Sequence, residues 1–389
     1  MAIGNTVIGG NFTGRAVYDT GVFPSNIAED VSDLVSMISP YETPFLTILG
    51  DAEQPARSIL HEWLEDELNP NTITVTATLA LPAATAFGVA NNEQRSLQIG
   101  AILRYVDTSG VEEYLQLESM SGNTITVARA FAGTTAVTIP AGAAVQVVND
   151  VAVEGADVLD DSSRARKRKA NNTMIFKKDV IVSGTMQAVT LLGGISDELD
   201  YQIQMRTREV IRDLEKAVIL SRAANTIGGA TSTRTMKGVL QQITTNSVSI
   251  PTGFDETHIT AVMKKAWDNG GSDLDLVVCG QLVKEQLDTL NGSKLTIAND
   301  ESMVRRRVET FEGTYGQLQV VMSRWMPSRM GVIISKNRIK VTPLSGRSFN
   351  YQSVARTGDS EKGMVIGEYT TEVRNEEGMV KFNAGNIGS

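Results

Sequence analysis

Residues 72–150 alternate between apolar and polar positions in short runs, and a period of two predicts β-strands. Turn signals such as Asp107-Thr108-Ser109-Gly110 and Ser121-Gly122-Asn123 separate the runs. The predicted strands lie at 72–76, 101–106, 114–117, 124–127 and 144–148. Because no helical period interrupts them, the region is predicted to be a small all-β domain, either a sandwich or a barrel.

A period near 3.6 predicts helices elsewhere, and the longest covers residues 196–225. Gly193-Gly194 breaks the chain before it, Ser196 is a candidate N-cap, and Asp197 and Glu198 suit the positive N-terminal end. Its apolar stripe consists of Leu199, Ile203, Val210, Leu214, Ala217, Val218 and Ser221. A helix of roughly 28 residues would be about 42 Å long, which predicts a helix that connects two domains.

The first part of the chain combines a short amphipathic helix with a proline-containing stretch. Ser25 or Asn26 could cap the helix, whose apolar positions recur at helical spacing: Ile27, Val31, Leu34, Val35 and Ile38. In the stretch 39–50, Pro40 and Pro44 predict an extended or turned chain rather than a helix. The same stretch is strongly apolar, with Tyr41, Phe45, Leu46, Ile48 and Leu49. We expect another surface, often that of a neighbouring subunit, to bury this arm.

Two strand-like segments, 58–68 and 174–182, flank the all-β region. In the first, Ile59, His61 and Trp63 share one face. A hairpin formed by these two segments, with the all-β domain at its tip, is the simplest geometry. The rest of the chain mixes helices at 257–269 and 281–290 with strands at 274–279, 316–322, 331–335, 338–344 and 365–374, so the predicted class is α+β.

The composition is that of an ordinary globular protein, with 389 residues, 41% hydrophobic and 21% charged. The length predicts two or three domains. No apolar run reaches the roughly 18 residues of a membrane helix, and the first residues do not resemble a signal peptide. Cys279 is the only cysteine, which excludes internal disulfides. We therefore expect synthesis in a reducing cytosol, without export and without membrane contact.

Charge is distributed unevenly along the chain. Residues 1–70 hold 11 acids and 2 bases (−9), residues 71–163 hold 10 and 3 (−7), and residues 164–389 hold 24 and 31 (+7). An acidic first part and a basic last part could attract each other between copies, or the charges could form a solvated surface of mixed sign. The net charge of −9 disfavours tight binding to nucleic acid but permits weak contact.

The basic run Arg164-Ala165-Arg166-Lys167-Arg168-Lys169 has three interpretations. Five bases in six residues can bind phosphate, but no aromatic residue within the run is available for stacking on bases. Arg166, Lys167 and Arg168 could instead pair with an acidic neighbouring subunit, or the run could be a solvated linker. Pairing with a neighbour and a solvated linker are favoured equally, and both are favoured over phosphate binding.

Catalytic motifs are almost absent from the sequence. His61-Glu62-Trp63-Leu64-Glu65 begins like a zinc-protease motif but lacks the second histidine, and the only other histidine is His258. No phosphate-binding loop and no Gly-x-Ser-x-Gly motif occurs. A hydrolase that uses His61 with the acids Glu62, Glu65, Asp66 and Glu67 is a remote alternative to a solvated acidic face. The sequence therefore predicts no catalytic residue, no metal site and no cofactor.

The order of the predicted elements and three sequence segments resemble the major capsid proteins of tailed bacteriophages with the Hong Kong 97-type fold. The resemblance is to a subgroup of these proteins that has a β insertion. The three segments are Ser39 to Gly50 followed by His61-Glu62-Trp63, then Thr126-Val127-Ala128-Arg129-Ala130-Phe131-Ala132-Gly133-Thr134-Thr135, then Ala355-Arg356-Thr357-Gly358-Asp359-Ser360 leading to Gly367-Glu368-Tyr369-Thr370. The resemblance covers nearly the whole chain. The segments that carry it contribute to packing and turns rather than to chemistry.

The resemblance implies a division of the chain into named parts. An N-terminal arm would cover 1–57, and a long hairpin called the E-loop would begin at 58–72 and return within 151–190 after a linker. The inserted β domain at 73–150 would decorate that hairpin. A peripheral domain with a spine helix would cover 191–249 and resume at 341–389, with an axial domain at 250–340 between them.

The same resemblance implies a homo-oligomer of pentamers and hexamers that forms an icosahedral or prolate shell around double-stranded DNA. Portal, scaffold or decoration proteins would be partners, DNA contact would be weak and non-specific, and the shell would be assembled in the host cytoplasm and found in the virion. A nanocompartment of the encapsulin type is the alternative for the same fold. The expected subunit-contact residues are Tyr41, Phe45, Leu46, Trp63, Arg166, Lys167, Arg168, Lys177 and Lys178. Lys177 and Lys178 also lie near the position of a family lysine that crosslinks to asparagine, although no partner asparagine is identifiable.

Overall fold

A computed structural model describes most of the chain after the first 41 residues. The described residues are 42–50, 52, 54–80, 84–90, 93, 97–151, 154–155, 163, 165–189, 197–223, 229, 232–292, 310–356 and 358–386. Their strands form a six-stranded mixed sheet, a four-stranded sheet, a two-stranded hairpin and a six-stranded antiparallel barrel. The first two sheets, with their helices, are called the body here.

The helices of the described residues are α1 (Pro44–Leu49), α2 (Gly184–Ala188), α3 (Glu198–Leu220), α4 (Val239–Gln242), α5 (Glu256–Asp268) and α6 (Gln281–Gly292). The hairpin strands are β1 (Leu60–Glu65) and β8 (Lys167–Asn172). The barrel strands are β2 (Thr72–Thr74), β3 (Ala86–Gly88), β4 (Ile102–Val106), β5 (Glu112–Ser121), β6 (Thr124–Ala128) and β7 (Ala144–Asn149). The remaining strands are β9 (Met174–Ser183), β10 (Ser247–Thr252), β11 (Leu276–Cys279), β12 (Thr310–Gly313), β13 (Gly316–Met322), β14 (Met330–Ile334), β15 (Ile339–Pro343), β16 (Asn350–Val354), β17 (Ser360–Val373) and β18 (Val380–Asn386).

The six-stranded sheet of the body has the order β10-β18-β14-β11-β13-β12 and lies between two hydrophobic cores. Strand β11 is buried on both faces. Leu276 and Val278 contribute to the core that contains α3, while Val277 and Cys279 contribute to the core that contains α5 and α6. Burial on both faces explains why this strand reads as a continuous apolar run rather than an alternating one.

The four-stranded sheet is organised around the long strand β17, which pairs with β9, β15 and β16. Strand β9 packs against α3, and its residue Phe176 belongs to the core that contains α3. Val180 and Val182, on the same side of the strand, are also buried. Side chains alternate along a strand, so the intervening residues Ile175, Lys177, Asp179 and Ile181 are exposed on the opposite face. One face of β9 is therefore core and the other is surface.

The barrel closes on itself. Its strands follow the order β2-β7-β4-β5-β6-β3, and the first and last strands of this order are joined by a bridge between Val75 and Val89. The amide of Thr76 donates to the carbonyl of Gly88 at 2.8 Å, and the amide of Ala90 donates to the carbonyl of Thr74 at 3.0 Å. The interior is a core of its own, built from Ile73, Val75, Leu79, Phe87, Val89, Leu97, Ala101, Leu103, Tyr105, Leu115, Leu117, Ile125, Val127, Ile139 and Val145. Closure satisfies the backbone groups that an open sheet would expose at its edges.

The prediction that residues 39–50 contain no helix is wrong over α1. Pro44 occupies the first turn of α1, where a helix does not use the backbone N–H that proline lacks, and Thr43 before it is non-helical. Phe45 is 1% exposed and lies in the body core, and Leu46 is partly buried against it. The apolar residues Phe45 and Leu46 are therefore buried to a large extent within their own chain.

The hairpin geometry predicted from the sequence is also wrong in its second strand. Strand β1 pairs antiparallel with β8, from Leu60 opposite Asn172 to Glu65 opposite Lys167. Strand β9, which was the expected partner, instead forms ten residue pairs with β17. Thr173 separates β8 from β9, and its hydroxyl donates to the buried carboxylate of Glu368. Alternating polarity identified strand β9 correctly but could not identify its partner.

Helix α3 confirms the predicted long helix with different ends. Asp197, not Ser196, is the N-cap, and its carboxylate accepts from the amide of Leu199 at 2.8 Å. The helix ends at Leu220, so its 23 residues span about 35 Å. Gly238 passes close to this end: a Cβ there would lie 2.9 Å from the carbonyl oxygens of Ala217 and Ile219. The chain can cross the end of α3 at this distance because the residue is glycine.

Candidate assembly surfaces

The hairpin β1–β8 pairs its own acids with its own bases. Glu62 contacts Arg168 at 3.4 Å, and Asp66 contacts Arg166 at 3.2 Å. Lys167 Nζ lies 2.9 Å from Glu67 and 3.2 Å from Glu377, both by carboxylate oxygens. The hydrogen bonds to Glu67 and Glu377 raise the pKa of Lys167 despite its partial burial. None of the three interpretations of the basic run included this pairing within one chain, because the partners lie about a hundred residues apart in sequence.

The inward face of the hairpin is held against the body by carboxylates. His61 Nε2 lies 2.8 Å from Glu372 Oε2, and Arg374 also donates to Glu372. Burial by itself would raise the pKa of Glu372, but hydrogen bonds from His61 and Arg374 hold it below its ordinary value. Glu65 accepts from the amide of Asn375 at 2.9 Å and from Trp63 Nε1 at 3.0 Å. These bonds fix the direction in which the hairpin leaves the body.

The opposite face of the hairpin is exposed and carries leucines beside the ion pair of Glu62 with Arg168. Leu60 is 39% exposed, Leu64 is 62% exposed and Leu68 is 93% exposed. Trp63, which the sequence analysis named as a contact residue, is 8% exposed and points inward with His61. A period of two from Trp63 places Leu60 and Leu64 on the other face of β1, so the sequence pattern already indicated their direction. Leu68 follows three residues after the end of the strand. Leu60, Leu64 and Leu68 are together called the exposed hairpin face.

The base of the arm is attached to the body through a buried glutamate on α3. Glu215 is fully buried, and its carboxylate accepts from the amides of Phe45 at 3.1 Å and Leu46 at 2.9 Å. Burial raises the pKa of Glu215, although these amides and the Ser323 hydroxyl favour the ionised form. The two amides belong to the first turn of α1, where a helix leaves its donors unpaired. Glu215 therefore positions α1 from a distant part of the sequence.

Lys177, Lys178 and Tyr41 complete the predicted contact residues. Lys177 Nζ contacts Asp179 at 3.0 Å on the same strand, and Lys178 Nζ contacts Asp213 of α3 at 3.0 Å. Tyr41 lies outside the described residues. The structure therefore places Lys178 beside α3 and Lys177 on the exposed face of β9.

The buried carboxylates of the body have bases or amides as partners. Glu368 is bonded by Thr173, Arg234 and Arg347. Glu376 accepts from the amides and hydroxyls of Thr244 and Thr245. Pairing of this kind satisfies buried polar groups and stabilises a fold. Across the described residues, no group of three or more His, Cys, Asp or Glu side chains could hold a metal ion.

Two further observations concern chemistry and membranes. Cys279 is buried, and this burial raises the pKa of its thiol to about 12, so the thiolate is not populated near neutral pH. No helix in the described ranges has both the length and the apolarity needed to span a bilayer. The surfaces that stand out are therefore packing surfaces: the exposed hairpin face and the exposed face of β9.

The fold is that of a tailed-phage capsid protein of the Hong Kong 97 type. The capsid of Myoviridae phage XM1 is similar with a TM-score of 0.51 and 10% sequence identity, covering 94% of this chain and 100% of that chain. The family model described as "SU10 major capsid protein" matches residues 8–385 of this chain. The chain belongs to the SU10 major capsid protein family. It is a major capsid protein, a structural protein of a phage head shell rather than an enzyme.

Two further solved structures have lower TM-scores. A protein of Microbacterium phage Oxtober96 has a TM-score of 0.46 at 13% identity, covering 92% of this chain and 96% of that chain. The holo-SrpI encapsulin complex of Synechococcus elongatus PCC 7942 has a TM-score of 0.40 at 7% identity, covering 56% and 75%. No curated protein matches the chain. The encapsulin alternative is weaker than the phage head assignment, which rests on the family.

Proposed function

We propose that this capsid protein closes its shell through the hairpin β1–β8, which acts as the E-loop and packs its exposed face on a neighbouring subunit. The observation that carries the proposal is the contrast between the two faces of β1. One face is bonded to the body through His61 and Glu65, and the other presents the exposed Leu60 and Leu64, with the exposed Leu68 just after the strand. An apolar face held in a fixed direction favours burial against a second protein surface.

The domain assignments follow the same proposal. The E-loop consists of 58–72 and the return within 151–190, and the β barrel at 73–150 decorates it. The peripheral domain comprises 191–249 with α3 as its spine, together with 341–389, and the axial domain comprises 250–340. Within the arm at 1–57, α1 packs on its own chain, so the part that leaves the subunit lies before it. Pentamers and hexamers built from these parts would form the icosahedral or prolate shell.

The proposed contents and partners follow from charge and from the family. Double-stranded DNA is the enclosed genome, touched weakly and without sequence specificity, because the chain has a net charge of −9 and the hairpin bases are paired with acids. Portal, scaffold or decoration proteins complete the head, which is assembled in the host cytoplasm. Arg166, Lys167 and Arg168 contribute to subunit contact by stiffening the hairpin rather than by direct attraction to a neighbour.

The test replaces the exposed hairpin face. Leu64→Asp with Leu68→Asp should leave the subunit folded but unable to close shells, because charge on this face opposes burial at an interface. Electron microscopy and light-scattering mass measure the assembly, and circular dichroism measures the fold. Val148→Asp with Val111→Asp is the matched control, since both valines are exposed on the barrel, at 48% and 41%. Normal shells from the double leucine variant would overturn the role of the hairpin.

A second experiment tests the arm. Deletion of residues 1–50 should leave soluble subunits that do not close shells, although removal of α1 also exposes part of the body core. Deletion of residues 1–41 is therefore the cleaner variant, because it retains α1 and its bonds to Glu215. Closed particles of normal size from the 1–41 deletion would contradict the proposed role of the arm.

A further inference from the structure

Three bases share one acid on the surface of helix α3. Lys178 Nζ of strand β9 lies 3.0 Å from Asp213 Oδ2. On α3 itself, Lys216 Nζ lies 3.7 Å from Asp213 Oδ1, and Arg212 Nε lies 4.0 Å from the same oxygen. The four side chains are between 24% and 37% exposed, so solvent reaches all of them. Three positive charges face one negative charge, and the cluster therefore attracts a further anion.

The positive charge continues along the same helix. At 100° per residue, Arg206, Arg212 and Lys216 lie within a sector of about 120° on the surface of α3. Glu209, which forms an ion pair with Arg206, lies in the same sector. The ten residue steps from Arg206 to Lys216 span about 15 Å, which is the axial length of about four phosphates in one strand of duplex DNA. A row of bases of this length can contact several phosphates at once.

The loop between β13 and β14 adds a base at the Lys216 end of this row. Arg324 is exposed, and the ring of the adjacent Trp325 has its centre 4.4 Å from Lys216 Nζ. The carbonyl of Glu42 accepts from Trp325 Nε1 at 3.0 Å, so the exposed Glu42 brings one acid to this end. Lys216 occupies one face of the indole, which leaves that face unavailable for stacking on a nucleic-acid base. The chemistry of this surface is therefore charge, which suits the phosphates of a duplex.

The charge asymmetry of the sequence supports the same surface. Residues 164–389 hold 31 bases and 24 acids. Three of the five bases at 164–169 are paired with acids of the same hairpin, which are Glu62, Asp66 and Glu67. Beside α3 the bases outnumber the acids that they contact. An anionic partner is therefore better matched to α3 than to the hairpin.

We propose that the surface formed by Lys178, Arg206, Arg212, Lys216 and Arg324, called the α3 basic surface, contacts the phosphates of the duplex DNA inside the shell. Contact through charge alone is independent of base sequence and is weakened by salt. The net charge of −9 on the whole chain keeps this contact weak. The α3 side of the body would then face the interior of the shell. The inference rests on the proposed function for its ligand, but it can be tested without shell closure.

Fluorescence anisotropy tests the contact with the full-length, unassembled subunit. The probe is a labelled DNA duplex of about 20 base pairs, titrated from about 20 mM salt upward. The triple variant Lys178→Gln/Arg212→Gln/Lys216→Gln should bind at least about tenfold more weakly at the lowest salt. The slope of log K against log salt should also become shallower by about two to three, because each lost phosphate contact removes nearly one.

The matched control removes three positive charges elsewhere. Arg57→Gln with Lys264→Gln and Lys340→Gln makes the same change in net charge at exposed positions outside the α3 basic surface. This control should retain the salt slope of the natural chain, and circular dichroism should show both triple variants folded. Equal losses in the two triple variants would overturn the inference. So would the absence of duplex binding by the natural chain at about 20 mM salt.

A further variant should change the affinity in the opposite direction. Asp213→Asn removes the acid that the three bases share and should strengthen duplex binding about threefold or more at the same salt. Asp268→Asn, at an exposed position on α5, is the control with the same change in net charge and should leave the affinity unchanged. Unchanged or weaker binding by Asp213→Asn would contradict the inference.

An acidic surface on a second copy of this chain is the competing occupant. If the triple variant at α3 loses self-association in light scattering but retains duplex binding, a second copy occupies the surface and the inference is overturned. Closed shells in electron microscopy together with unchanged duplex binding by that variant would leave the proposed function standing and overturn only this inference. Absence of shells from the natural chain, with duplex binding lost as expected in the variant, would count against the proposed function alone.

Discussion

The barrel and the body each bury an apolar core, but the residues that meet in the two cores differ greatly in their separation along the sequence. The barrel core draws its residues from 73–145, whereas the core around α3 combines residues from Phe45 to Met379. The buried ion pair of the barrel joins Glu113 and Arg129, which are 16 residues apart. In the body, Glu215 bonds to Phe45 across 170 residues. The barrel can therefore fold from local contacts, while the body requires most of the chain to be in place.

Each region contains a buried carboxylate that has hydrogen-bond partners. The same kind of substitution can therefore be made in both regions and compared. Glu113 is fully buried and accepts from Arg129 and from the amides of Ala130 and Val137. Arg129 in turn donates to the carbonyls of Ala80, Ala84 and Val137, so one pair joins three loops at the same end of the barrel. Removal of one partner leaves a buried charge without compensation in either region. Single substitutions can therefore weaken each region separately.

The largest effect is expected from Glu368→Ala in the body. This change leaves Arg234 without its carboxylate partner in a nearly dry site, which costs about 3–5 kcal/mol. Calorimetry should show the body transition shifted to lower temperature while the barrel transition stays in place. Glu361→Ala removes a half-buried carboxylate of the same strand whose partners Gln187 and Arg356 are exposed, and it should shift the body transition far less than Glu368→Ala. A shift of both transitions with Glu368→Ala would mean that barrel and body unfold as one unit.

A smaller effect is expected from Glu113→Gln in the barrel. The amide keeps the shape and one carbonyl acceptor but loses the charge that faces Arg129, at a cost of about 2–3 kcal/mol. Only the barrel transition should move. Glu112→Gln, next in sequence but exposed, is the control and should leave that transition unchanged. An unchanged barrel melt with Glu113→Gln would refute the structural role of the pair.

Lowering the pH should change the stability contributions of Glu113 in the barrel and Glu215 in the body in opposite directions. Burial opposes ionisation of Glu113, but hydrogen bonds from Arg129 and from the amides of Val137 and Ala130 hold its pKa below the ordinary 4.5. The unfolded barrel then binds more protons than the folded one, so its stability is present above about pH 4.5 and is lost as the pH falls through the lower value. The barrel melting temperature, measured from pH 7 to pH 3, should fall less steeply in Glu113→Gln.

Glu215 should contribute in the reverse direction. Burial raises its pKa above 4.5, so the folded body binds more protons and the contribution of Glu215 to stability increases as the pH falls from neutral. The difference in body stability between the natural chain and Glu215→Gln should therefore depend on pH between neutral and about 4.5. A difference that is constant over this range would contradict the raised pKa.

The smallest effect on the body is expected from removal of the barrel. Replacing residues 74–148 with a short Gly/Ser linker should leave the body transition nearly unchanged, because the two cores share no residue. The isolated barrel should melt cooperatively at its own temperature. Loss of cooperative melting in the remaining chain would show that the barrel supports the body.

The sequence by itself determined the elements whose pattern repeats over a few residues. Alternation identified every described barrel strand except β3, the 3.6 period identified α3 and α5, and the apolar run 274–279 identified the central strand β11. The order of these elements, together with three sequence segments, was enough to indicate the capsid fold, which the family assignment confirms. Burial of a regular face is a local property, so it leaves a local pattern.

Tertiary structure alone decided which segments meet. It placed Pro44 at the start of a helix whose amides are bonded by Glu215, and it paired β1 with β8 instead of β9. It also neutralised the basic run with acids about a hundred residues earlier and turned the exposed hairpin face outward. Hydrogen bonds and ion pairs between distant segments leave no periodic signal, because many acids and bases could form equally good pairs. Only the packing of the whole chain selects among them.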